Sequence, residues 1–270
     1  MADSTSPSRS TPTPTSISPS ATSRQMNTLI RKHPLQRLPS PSRTTSAAIH
    51  IIGLSSFLYS FSYLSTHPNH INQAYGWHFQ YLTIIGLALA TATFTLGLLA
   101  DLTLSARLFA AKNVLSMCSA PMEVLITLLY WGLRAIDPQL VVPKELELPF
   151  GVDASFHLAP GVFLLSDLLL LSPPWTIGVL PAVALSGAIA CVYWYWIEMC
   201  YQVNGFYPYP LFEVLLPAQR VVLFAGSAVL MAASTAVLKS LQGRINRGLE
   251  GRKEREGKDG RGVERPGNVS

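Results

Sequence analysis

Charge is what this chain has least of. Asp, Glu, Lys and Arg make up 13% of its 270 residues, about half of the roughly 25% usual in soluble domains. What charge there is lies mostly at the ends. Residues 1–46 carry six Lys/Arg against one acid, Asp3. Residues 239–270 carry nine against five, and the long middle carries five against nine. A basic balance held in two tails around an acidic middle argues against a basic nucleic-acid-binding domain, so no nucleic-acid partner is expected. Cysteine is scarce too. Cys118, Cys191 and Cys200 are too few for a disulfide framework, and two lie in apolar runs, where a free thiol behaves as a small hydrophobe. HExxH and CxxC spacings, a GxSxG elbow and a GxxxxGK[ST] loop are all missing. The sequence therefore implies no metal and no cofactor.

What is there in abundance is apolar length. Hydrophobic residues make up 49% of the chain, gathered in runs of the roughly 20 residues that cross a bilayer as a helix. Six segments qualify: 47–65, 79–101, 113–133, 154–172, 176–198 and 218–241. The expected fold is all-α, an integral membrane bundle of six transmembrane helices over residues 47–241, with Pro121, Pro160 and Pro181 kinking spans three, four and five. Residues 1–46 are dense in Ser, Thr and Pro. They bury too little apolar surface to offset chain entropy and are expected to be disordered. No apolar core follows their first basic residues, so no secretory signal is expected. Residues 242–270 read as a basic, flexible tail with a capacity for anionic-lipid contact. Loops 66–78 and 199–217 hold no Lys or Arg, whereas both tails and loop 102–112 are basic (Arg107 and Lys112). Positive-inside counting places both termini in the cytosol, with the endoplasmic reticulum and the plasma membrane both open as the host membrane.

Ionisable residues at membrane depth are costly and need a reason. They are Glu123, His157 and Asp167, with His50, Asp101, Asp153 and Glu198 near the borders. At about 1.5 Å per residue, Thr83 in the second span and His157 in the fourth both fall roughly 5–7 Å below the non-cytosolic border. Glu198 ends a span on the same side, and Asp153 is one turn before His157. That placement suits a hydroxyl nucleophile, an imidazole base and an acid, Asp153 or Glu198, that orients the base. The same residues have plainer uses. A membrane Thr commonly bonds its own backbone carbonyl one turn back, and a border His serves as an interfacial anchor. A haem between histidines is not supported, because His50 and His157 fall at opposite faces. Glu123 and Asp167 lie deeper and suit structural bonds between helices.

Three motifs carry a resemblance. They are Trp77-His78-Phe79-Gln80-Tyr81-Leu82-Thr83, the run Asp153-Ala154-Ser155-Phe156-His157-Leu158-Ala159-Pro160 with Asp167 beyond it, and Asn204-Gly205-Phe206-Tyr207-Pro208-Tyr209-Pro210. In this order and spacing, residues 47–240 resemble the androgen-induced gene family of multi-pass membrane proteins. Its animal members hydrolyse fatty acid esters of hydroxy fatty acids with a Thr nucleophile and an essential His. The resemblance places these roles on Thr83 and His157. It implies a carboxylic ester hydrolase of the threonine-nucleophile type whose lipid substrate arrives from the bilayer. Leu158 stands where animal members carry Thr, and the 134–153 loop is long and acidic; both departures bear on substrate more than on reaction type. The alternative reading is a non-enzymatic membrane protein, either a small-solute transporter or a scaffold.

Overall fold

Residues 36–261 are described by the structure, a computed structural model. They form eight α-helices and short 3-10 turns, with no strand among the described residues. In chain order the helices are α1 (Thr45–Thr66), α2 (Leu82–Thr103), α3 (Ala106–Ile136), α4 (Phe150–His157), α5 (Ala159–Leu171), α6 (Val179–Asn204), the short α7 (Leu211–Val214) and α8 (Pro217–Arg261). Five of these, α1, α2, α3, α6 and Pro217–Ile245 of α8, are long and apolar enough to cross a membrane. The pair α4–α5, bent by 43° at its break, makes a sixth crossing if counted as one span. Successive crossings alternate in direction, which defines two ends. The tail end holds the start of α1 and the later turns of α8. The loop end holds the connections 67–81, 137–149 and 205–216.

Local chemistry sets the boundaries. The second crossing begins at Leu82 rather than at residue 79, because Trp77–Gln80 winds as a 3-10 turn before it. Between α2 and α3 lie only Leu104, in the left-handed region with φ 54°, and Ser105. The Ser105 hydroxyl accepts the Leu108 N–H and caps α3. The expected loop 102–112 is thus mostly helix. The fourth crossing starts at Phe150, and its bend follows from Pro160. Proline offers no N–H to the turn before it and crowds the carbonyl there. Pro121 is carried inside the continuous α3. The kink expected at Pro181 is not needed, because α6 starts at Val179. Pro181 falls in the first turn, where a missing N–H costs nothing. Gly205 ends α6 at φ 77°, a conformation that suits glycine.

In a bilayer helices associate by close packing and polar bonds rather than by the hydrophobic effect. The α1–α2 contact shows both. A Cβ on Gly97 would overlap the His50 ring, and one on Gly53 would overlap the Phe94 ring. Phe57, Phe94 and Phe163 meet edge to face in the same layer.

At the tail end, four fully buried charged groups form one network. His50 Nδ1 is 2.7 Å from Asp101 Oδ2, and His50 Nε2 is 3.1 Å from Asp167 Oδ1. Lys112 Nζ lies 2.7 Å from the same Asp167 oxygen and 3.0 Å from the Ser172 hydroxyl. Lys112 is therefore not a loop charge. It is paired inside the bundle and drops out of the positive-inside count. Asp167 has the structural role expected of it.

The tail boundaries differ as well. Residues assigned to the Ser/Thr/Pro-rich tail pack on the tail end. The Leu38 N–H donates to Leu170, the Gln36 side chain to Leu171 and the Ser42 N–H to Asp101. The Leu38 backbone and the Gln36 side chain thus supply donors that the carbonyls at the end of α5 need. Helix α8 continues past residue 241, where buried Gln242 donates to the carbonyls of Leu168, Ser172 and Pro173. The expected disorder of residues 1–35 and the last residues of the C-terminal tail, 262–270, lie outside the described residues.

Candidate active site at the loop end

Thr83 is the second residue of α2. His157 is the last residue of α4, eight residues into its crossing rather than four. Both side chains are largely buried, and both line one cavity of about 100 Å³ at the loop end. They are not hydrogen-bonded to each other, and the cavity leaves room for a reacting group. Catalytic contacts often form only once substrate is present.

His157 is firmly held. Its Nδ1 lies 2.8 Å from Asp153 Oδ1 and 3.1 Å from the Asp153 carbonyl one turn back. Its ring stacks on Tyr130, with centroids 3.4 Å apart and planes 2° apart. The Tyr130 hydroxyl donates to the same Asp153 oxygen at 2.6 Å, and Arg134 Nη1 lies 3.6 Å from the other. The Thr127 hydroxyl donates to the His157 carbonyl, one of the carbonyls freed at the α4–α5 break. With Nδ1 engaged, Nε2 is the ring nitrogen left to exchange a proton. Of the two acids considered from sequence, Asp153 is the one that meets His157. Glu198 instead accepts from Tyr207 and Trp194 beside Arg220.

Around Thr83 the partners are phenols. The Thr83 hydroxyl and backbone N–H are bonded to the Tyr209 phenol. The preceding N–H, of Leu82, donates to both Tyr209 and Tyr193. Ile84 and Ile85 both donate to the Tyr81 carbonyl, so the first N–H groups of α2 all have partners. Burial pushes the Tyr209 phenol up, so it remains a neutral hydroxyl.

His78 also lines the cavity and was missed as a site residue, because its place before α2 reads as an outer-loop histidine. It is 4% exposed, and burial lowers its imidazole to about 4, so it stays neutral at pH 7. Its Nε2 is 3.3 Å from Asn72, and no carboxylate orients it. Tyr130 was missed as well. Tyr209 stands in the Asn204–Pro210 motif, which by itself gives no sign that the phenol meets Thr83. Glu123 lies one turn deeper than Thr83, beside Gly86, with neither carboxyl oxygen hydrogen-bonded. His50 is locked in the tail-end network, far along the bundle from His157.

A second cavity, also about 100 Å³, adjoins the first. Thr83, Tyr130, Val141 and Tyr209 line both. Its remaining walls come from α3, α6, α8 and the loop-end residues Leu140, Leu211 and Phe212.

Residues 45–243 match the family model described as FAR-17a/AIG1-like protein. A protein of Schizosaccharomyces pombe described as a UPF0641 membrane protein is 34% identical over 188 residues, covering 68% of this chain and 84% of that one. No solved structure matches the chain.

Proposed function

The chain belongs to the FAR-17a/AIG1-like family of membrane proteins, and on that premise we propose that it hydrolyses lipid esters, with fatty acid esters of hydroxy fatty acids as the substrate class. The observation that carries this reading is the cavity shared by Thr83 and an Asp153-held His157. Thr83 Oγ1 attacks the ester carbonyl carbon while His157 Nε2 takes its proton. Tyr209, bonded beside Thr83, offers its hydroxyl to the oxyanion that forms. The C–O bond then breaks, and the departing alcohol receives the proton from His157. Water, activated by the same nitrogen, releases the fatty acid and restores the Thr83 hydroxyl. Asp153 and the stacked Tyr130 keep the ring in place through both steps.

A fluorophosphonate probe tests this reading on the purified protein in detergent. Wild type is expected to be labelled and to hydrolyse the ester. Thr83→Ala should lose both while eluting as the same monodisperse species. A Thr83→Ala protein with full turnover would remove the mechanism.

A further inference from the structure

Resting on the hydrolase reading for its substrate, we infer that the second cavity is the subsite for the substrate's acyl chain, and that Ser186, Ala228 and Met231 set the chain length it accepts. None of the residues that line this chamber is ionisable other than its tyrosines. Thr83, Tyr130, Tyr193 and Tyr209 are its hydroxyl-bearing groups near the loop end. Deeper in lie Ser227 and Ser186, and Ser186 donates its hydroxyl to the Ala182 carbonyl.

The chamber descends from Leu133 to Leu125 on α3 and from Leu223 to Met231 on α8. Each stretch is eight residue steps long, about 12 Å at 1.5 Å per residue. Its floor is closed by Met231, Leu125 and Ser186, which are 2%, 4% and 2% exposed. A narrow, deep, apolar space that begins at a nucleophile fits a linear hydrocarbon chain and offers a charged or sugar headgroup no partner. An ester whose carbonyl lies at Thr83 would place its acyl chain here and its alcohol part in the histidine-lined cavity. Small residues at Ser186 and Ala228 keep the chamber open.

Two measurements on the full-length protein in nanodiscs test the assignment. In the first, acyl esters from two to eighteen carbons are compared. Ala228→Phe and Ser186→Phe should lower turnover of the longest esters at least tenfold relative to that of the two-carbon ester, compared with the same ratio in wild type. Unchanged chain-length profiles in both variants would overturn the assignment.

The second measurement does not need catalysis. A diazirine-bearing long-chain fatty acid should crosslink to peptides covering 125–133 and 223–231, in wild type and in Thr83→Ala alike, and this should be lost in Ala228→Phe. Treating wild type beforehand with a long-chain phosphonate should block crosslinking, whereas a methyl phosphonate should not. Crosslinking that ignores both phosphonates would mean that the chamber holds a bilayer lipid chain, and the substrate assignment would fall. Loss of all ester turnover in wild type, with these crosslinks present, would count against the hydrolase reading and leave the chamber as an acyl-chain site.

Discussion

Two buried histidines face the loop-end cavity, and their neighbours give them different work. His157 has a carboxylate on Nδ1 and a phenol ring stacked against it, whereas His78 has only an amide within reach. A base must be held in one tautomer and orientation to act repeatedly. His157→Gln is therefore expected to lower kcat by about 10²–10⁴-fold, with His78→Gln keeping most turnover, in an ester-hydrolysis assay of the two purified variants. The reverse ranking would give the base role to His78. His78 has a separate signature in stability. Its folded-state imidazole is lowered to about 4, below the unfolded value near 6.5. Below pH 6.5 the unfolded chain binds a proton that the folded chain resists. The stabilising contribution is thus complete above pH 6.5 and is lost as pH falls from 6.5 towards 4. Melting temperatures taken at pH 7 and pH 5 should fall further for wild type than for His78→Gln.

Among the helices, polar bonds set the partners of each element. Asp167 on α5 joins α3 through Lys112 and α1 through His50, and His50 carries the chain on to Asp101 on α2. Removing one member strands its partner at zero exposure. Lys112→Met is expected to destabilise the bundle by about 3–5 kcal/mol, whereas Lys112→Met combined with Asp167→Leu should recover much of that loss. Thermal unfolding in detergent reads both, and a double variant no better than the single would argue against pairing as the cause. The element scale also shows why the span pattern was legible early. Hydrocarbon length is a property of a contiguous stretch, so the five long crossings and the bent α4–α5 pair were all visible, even with His157, Pro160 and Asp167 in that pair. Their ends were less so. Trp77–Gln80 is apolar enough to extend α2, but it turns before the helix starts. Lys112 counts as a loop charge until its partner on α5 is known.

For the whole molecule, counting the bent α4–α5 pair as one span makes six crossings and brings the first described residues and the later turns of α8 to one end. With Lys112 paired, the positive-inside argument rests on the tails and Arg107. Epitope tags at both termini should become accessible after digitonin opens the plasma membrane alone. A tag reached only after full solubilisation would reverse the orientation or break the even count. Composition and hydrophobic run length, both local properties, were enough by themselves to determine the fold class, the apolar membrane segments and the lack of a disulfide framework. The motifs named Thr83 and His157, but the count that put them at one depth began their spans at 79 and 154, whereas the helices start at Leu82 and Phe150. Only the tertiary structure decided that they line one cavity, that Asp153 and not Glu198 holds His157, that His78, Tyr130 and Tyr209 join them, and that an apolar chamber continues from Thr83. The physical reason is rotation. Depth follows from residue number along a helix, but the direction a side chain faces depends on how each helix turns against its neighbours. That turning is set by distant contacts such as Gly97 against His50 and Asp167 against Lys112.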